Sequence, residues 1–229
     1  MRVAIFNHPF QDFYTSLQRL NAGILFYLAN IIAPHKSKIF DVVAKKKKTV
    51  SFPTKIKYLK EFIENDKTEY TFFHSYFEFG DVSNFDIVGL KKWRPQAILI
   101  TSFAFAYFEG FKKMAKYLKE NFKGVPVICG GPGPSSFPEY YIANSSIDFV
   151  INGPAELSLK KFLDNLETGS IEKQERIRSI VLDDDYKFKP FINVNNGKKN
   201  FIQLQLTRGC PKRCSYCSIQ LLSGNKFRK

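Results

Sequence analysis

From residue 97 onward the chain repeats one unit: an unbroken apolar run followed by a stretch with helical periodicity. Ala97–Ser102 carries no charge, as a strand buried on both faces requires. Phe108, Phe111, Ala115, Leu118 and Phe122 then recur at steps of three and four, with Lys112, Lys113, Lys116 and Lys119 on the other face. Lys123-Gly124 closes that helix and Pro126 follows. Val125–Cys129 is the next strand and runs into Gly130-Gly131-Pro132-Gly133-Pro134. Phe149–Asn152 ends at Gly153, and Leu157, Leu159, Phe162, Leu163 and Leu166 form a last amphipathic helix that stops near Gly169. Strands alternating with helices imply a parallel sheet covered on both faces. The expectation is an α/β fold over residues 1–169, a doubly wound parallel sheet of about five strands with its crevice at the C-terminal strand ends. Ser102, Gly130, Gly131 and Gly153 each follow or end an apolar strand and are the candidate crevice residues.

The first hundred residues are less regular. Val3–Asn7 reads as the first strand, and Thr15 or Ser16 can cap a helix carrying Leu17, Leu20, Ile24, Leu28 and Ile31. Lys38–Val43 is a second strand with thin apolar content, Thr54–Asn65 reads as a helix, and Tyr70–Phe79 is ambiguous. Residues 170–200 read as a linker with a small hairpin, Ile180–Leu182 and Tyr186–Phe188 around three aspartates. Residues 201–229 open a new unit, in which Ile202, Leu204 and Leu206 alternate with Gln203, Gln205 and Thr207.

Charge narrows the partners. The chain has 35 basic and 21 acidic residues, a net charge of +14. Most of the excess is lysine scattered along helices and loops. The one dense block, Lys45–Lys48, has no interleaved aromatics, which argues for a solvated surface over nucleic-acid binding. Met1-Arg2 leads directly into a strand with no signal-peptide pattern, and the apolar stretches are too short to span a bilayer. The expectation is a cytoplasmic protein without a membrane span.

Three of the four cysteines, Cys210, Cys214 and Cys217, fall within one short loop directly after the strand at 202–207. Cysteines that staple a secreted fold are spread apart, so this clustering points to a metal or cluster site in a reducing compartment. A structural zinc site needs four closed ligands. The remaining cysteine, Cys129, lies in the first domain at a strand position that suits a small buried hydrophobe, and no histidine follows Cys217. Three thiolates on a [4Fe–4S] cluster would leave one iron open to a substrate.

The run Thr207-Arg208-Gly209-Cys210-Pro211-Lys212-Arg213-Cys214-Ser215-Tyr216-Cys217, with an aromatic residue before the third cysteine, resembles the signature of radical S-adenosylmethionine enzymes. Gln203–Pro211 and the trailing Phe227-Arg228 are similar to the branch with an N-terminal cobalamin-binding-type domain. So are Gly130-Gly131-Pro132, Phe137-Pro138-Glu139, Asp148-Phe149-Val150 and Gly153-Pro154-Ala155-Glu156. The resemblance implies a flavodoxin-like first domain, followed by the first strand and cluster loop of a β/α barrel. It implies that Cys210, Cys214 and Cys217 hold a [4Fe–4S] cluster whose open iron chelates S-adenosylmethionine for reductive cleavage to a deoxyadenosyl radical. It also implies a small-molecule or cofactor-biosynthetic substrate.

Two departures qualify that picture. Family members that replace the lower axial ligand of cobalamin use an Asp-x-His-x-x-Gly loop after the first strand; here the loop is Asn7-His8-Pro9-Phe10-Gln11-Asp12. His8 reads first as an ordinary polar loop residue, with a place near the crevice as the alternative. The glycines at 130 and 131 serve either a cobalamin tail or a tight strand-to-helix turn, which leaves cobalamin binding open. The second departure is length: a full barrel takes about 250 residues, and the chain ends soon after Cys217. The barrel is expected to be incomplete, with a separate chain as one source of the remainder. The competing expectation is a non-catalytic cobalamin- or nucleotide-binding module with a vestigial cysteine tail. A tRNA-methylthiolating relative would need further clustered cysteines in the first domain, where only Cys129 stands.

Overall fold

The computed structural model describes residues 1–13, 22–44, 46–64, 75–171, 176–179, 191–194, 202–205 and 207–227. The expected helix cap at Thr15 or Ser16 and the expected hairpin over 180–188 lie outside the described residues. In chain order the strands are β1 Arg2–Phe6, β2 Phe10–Asp12, β3 Lys36–Phe40, β4 Lys47–Val50, β5 Tyr76–Phe79, β6 Ala97–Thr101, β7 Val127–Gly130, β8 Phe149–Asn152, β9 Ile177–Ser179, β10 Phe191–Val194 and β11 Ile202–Gln205. The helices are α1 Gly23–Ile31, α2 Leu59–Glu64, α3 Ile87–Trp93, α4 Phe108–Asn121, α5 Pro132–Ser136, α6 Pro138–Asn144, α7 Ala155–Thr168 and α8 Ile219–Ser223.

The main sheet runs β3-β1-β6-β7-β8-β9, and every pair in it is parallel. Alternation along each strand divides its side chains between two buried clusters. Ala4, Phe6, Ile98, Ile100, Val127, Cys129 and Val150 face one way, against Leu90 of α3, Tyr141 of α6, and Phe111, Met114 and Leu118 of α4. Val3, Ile5, Leu99, Ile128 and Ile151 face the other way, against Leu25 of α1 and Leu159, Phe162 and Leu163 of α7. This is the doubly wound α/β arrangement expected, built from strands that are continuous apolar runs because both faces are covered.

The sheet has a sixth strand. β9 pairs with β8 in parallel, Val150 opposite Ile177, so residues assigned to the linker complete the sheet instead. The apolar content of Ile177-Arg178-Ser179 is too thin to announce a strand, and its edge position explains why so little is needed. The second strand sits slightly earlier than expected, at Lys36–Phe40. Where it is described, the expected helix over Thr54–Asn65 is a 3-10 turn at Thr54–Ile56 followed by the short α2.

A small antiparallel sheet, β2-β5-β4, adjoins the domain. It settles the ambiguous Tyr70–Phe79 stretch as a strand where it is described, and it recruits Lys47 and Lys48 of the lysine block. Lys47 stays exposed but lays its ammonium 3.8 Å from the Phe77 ring centroid, and Lys48 pairs with Glu78 at 2.6 Å. β10 and β11 form a separate antiparallel pair, Ile192 opposite Leu204, which leads into the cysteine loop. Among the described residues, no helix is long and apolar enough to cross a membrane.

Candidate functional site at the carboxyl ends of the strands

Because the sheet is parallel, the segments after β1, β6, β7 and β8 emerge at one end. His8, Ser102, Gly131 and Gly153 all lie there, with Gly130 closing β7. β1 and β6 are the neighbours at which the strand order reverses, the position where sheets of this kind bind ligands.

Ser102 anchors the region. It is fully buried, its N–H donates to the Gly130 carbonyl at 2.9 Å, and its carbonyl accepts from the Gly133 N–H at 3.2 Å. Gly131 holds φ at +107°, and a Cβ there would stand 2.6 Å from the Ser102 carbonyl oxygen. A Cβ at Gly133 would stand 2.6 Å from the Tyr141 hydroxyl. Those two glycines let the β7–α5 turn close onto the end of β6. Gly130 differs: a Cβ there meets only the Ile151 carbonyl oxygen, at an ordinary 3.5 Å, and Ile151 Cβ at 3.7 Å. Gly153 takes φ +96° and donates its N–H to Ser135 Oγ at 3.0 Å.

His8 is not a polar loop residue. It is 5% exposed, with Nδ1 2.8 Å from the Pro9 carbonyl and Nε2 3.2 Å from Ser102 Oγ, which in turn lies 3.0 Å from the Tyr141 hydroxyl. Burial pushes the imidazole down to about 4, so the ring is neutral near pH 7. A carbonyl only accepts, so Nδ1 carries the proton and Nε2 accepts. Ser102 must then donate to His8 and accept from Tyr141, whose phenol burial pushes up to about 12. The result is one directed chain of hydrogen bonds, Tyr141 to Ser102 to His8 to the Pro9 carbonyl. Sequence reasoning missed Tyr141; its one signal was its place just after Phe137-Pro138-Glu139. Around this buried chain the surface is aromatic. Phe103, Phe105, Phe137 and Tyr140 are exposed, and Phe105 packs 4.6 Å from Phe137 and 5.1 Å from Tyr140.

The cysteine loop sits next to this end of the domain, since α8, which follows it, packs on α5. Cys210, Cys214 and Cys217 are half-buried free thiols, and the Cys217 N–H donates to the Cys214 carbonyl at 3.1 Å, closing a tight turn. Gly209 takes φ +92°, where a side chain would collide with the Lys226 carbonyl. Tyr216 is exposed. Among the described residues no three His, Cys, Asp or Glu side chains are grouped so as to hold a metal ion. Cys129 is buried in the core, where desolvation raises its thiol well above the ordinary range. The loop also reaches back to the first domain: Arg208 Nη1 lies 2.5 Å from Glu156 Oε1, which the Tyr27 hydroxyl meets at 2.7 Å.

Three thiols in one loop are the donor type an iron–sulfur cluster takes, but the structure does not bring them together as a metal site. At the strand ends the space beside Gly131 and Gly133 is filled by the Ser102 carbonyl and the Tyr141 hydroxyl, so these glycines serve the strand-to-helix turn, while exposed aromatics rim the region.

The chain is 27% identical over 162 residues to an uncharacterized methyltransferase of Pyrococcus horikoshii, covering 61% of this chain and 35% of that protein. It is 30% identical over 112 residues to an uncharacterized methyltransferase of Synechocystis, covering 46% of this chain and 19% of that protein. The chain thus spans about a third or less of the length of these relatives. Its fold resembles the radical S-adenosylmethionine methyltransferase TsrM of Kitasatospora setae, solved with tryptophan substrate and an S-adenosylmethionine analog bound. The TM-score is 0.55 at 14% identity, over 100% of this chain and 43% of that one. The model of the B12 binding domain matches residues 41–163, more than half of the chain, including β6, β7 and β8 of the doubly wound sheet. Fold and family model converge: the chain belongs to the B12 binding domain family.

Proposed function

We propose that this chain is the cobalamin-binding and cluster-binding part of a radical S-adenosylmethionine methyltransferase. One observation carries the proposal: a B12 binding domain and an open three-cysteine loop occur in one chain, with the loop's α8 packed on α5 at the crevice end of the sheet. Cys210, Cys214 and Cys217 would hold the cluster, and the chemistry a reduced [4Fe–4S] cluster supplies is one-electron cleavage of the sulfonium of S-adenosylmethionine. Ser102, Gly131 and Gly153 would line the cobalamin side, with Phe103, Phe105 and Phe137 flanking the macrocycle. His8 Nε2 is engaged by Ser102 and buried, so His8 would not serve cobalamin as a lower nitrogen ligand. The protein's own part is to orient the two cofactors and exclude water between them. Further β/α units, on this polypeptide's longer form or a separate chain, would complete the S-adenosylmethionine and substrate sites, and a reducing cytoplasmic setting suits the three thiols.

A second reading, a cobalamin-binding module without catalysis, is favoured by the three thiols not being grouped as a metal site. Anaerobic reconstitution followed by hydroxocobalamin titration separates the two. The proposal predicts both an iron–sulfur absorption and a saturable shift of the corrin bands. Cobalamin uptake with no cluster would leave the module reading.

A further inference from the structure

We propose that Glu156 and Arg208 form a positioning pair that seats the cysteine loop on the B12 binding domain. The inference rests on the reading that this loop holds the cluster. Arg208 stands two residues before Cys210, and Glu156 lies in the first turn of α7, three residues beyond Gly153 at the crevice. The two side chains are 16% and 11% exposed and meet at 2.5 Å. Water screens such a pair poorly, and removing one partner strands the other charge. The same Glu156 Oε1 accepts from Tyr27 of α1, so the carboxylate is held from the domain side while it holds Arg208.

The segment beyond Arg208 has little slack. Gly209 is locked in a positive-φ conformation against the Lys226 carbonyl, and the Cys210 N–H donates to the Gly224 carbonyl at 3.3 Å. Moving Arg208 therefore moves Cys210. On the domain side, the Gly153 N–H is tied to Ser135 in α5, the helix against which α8 packs. One short segment, Gly153-Pro154-Ala155-Glu156, thus touches the crevice with its first residue and the cysteine loop with its last. Glu156 and Arg208 are positioning residues, since neither is a ligand of the cluster.

The test uses the full chain, first without metal. The rate of alkylation of Cys210, Cys214 and Cys217 by iodoacetamide is read by peptide mass spectrometry, with buried Cys129 as internal control. Glu156→Gln keeps shape and the Tyr27 hydrogen bond but removes the charge. It should speed labelling of the triplet about tenfold, the loss of one charge-assisted hydrogen bond, while Cys129 stays protected. The double reversal Glu156→Arg with Arg208→Glu should restore much of the protection that either single change removes. After anaerobic reconstitution, Glu156→Gln should also broaden the cluster's EPR signal, which a merely stabilising contact would leave unaltered. Should Glu156→Gln fail to fold by circular dichroism, Arg208→Gln carries the same comparison. Wild-type labelling rates and EPR line shape in the variant would overturn the pair's role. Absence of iron and sulfide in wild-type chain, with faster labelling in the variant, would instead overturn the cluster reading and leave the pair standing.

Discussion

Ser102 gives its one hydroxyl proton to His8 Nε2, 3.2 Å away, at the end of the sheet where burial keeps that imidazole neutral. The arrangement has a pH signature. The folded-state value is depressed from 6.5 to about 4, so the unfolded chain binds the extra proton first as pH falls. Stability is intact above pH 6.5 and declines until about pH 4, by about 3 kcal/mol at 1.36 kcal/mol per unit. Urea denaturation of wild type and His8→Asn across that range should show the wild-type decline and a flatter profile in the variant. Parallel profiles would mean that His8 is solvated.

Tyr141→Phe should cost about 1–2 kcal/mol, because Ser102 Oγ loses its donor while buried. The same denaturation assay reads it, and an unchanged midpoint would remove Tyr141 from the chain of hydrogen bonds.

The two adjacent glycines should separate. Gly131→Ala faces a positive φ and the Ser102 carbonyl oxygen at 2.6 Å, and should cost about 2–4 kcal/mol. Gly130→Ala meets only ordinary contacts and should stay within about 0.5 kcal/mol. Equal costs at both positions would contradict the close-approach account.

Bound cobalamin should show no nitrogen coordination from His8. EPR of the cob(II)alamin complex of the chain should lack nitrogen superhyperfine splitting from a protein ligand, in wild type and His8→Ala alike. Splitting that disappears in His8→Ala would place the imidazole on cobalt.

What could be read before folding follows from how local each signal is. Ala97–Thr101, Phe149–Asn152 and α4 declare themselves because a strand covered on both faces must be apolar throughout and an amphipathic helix must repeat at three and four. β4 does not, since Lys47 and Lys48 find their partners, Phe77 and Glu78, on a strand far along the chain. His8 likewise looks like a loop residue until β6 is laid beside β1. Ser102 and the glycines were legible as strand-end residues, but Tyr141, Glu156 and Tyr27 act through contacts that only the assembled sheet creates. The cysteine triplet stands out in the sequence because its three thiols share one loop, but the structure does not bring them together as a metal site.

Iron and acid-labile sulfide analysis of the anaerobically reconstituted chain tests the central claim most directly. The account predicts about four irons and four sulfides per chain, lost or sharply reduced in Cys210→Ala, Cys214→Ala and Cys217→Ala and retained in Cys129→Ala. One tightly held zinc with no sulfide, or iron uptake indifferent to the triplet, would contradict it.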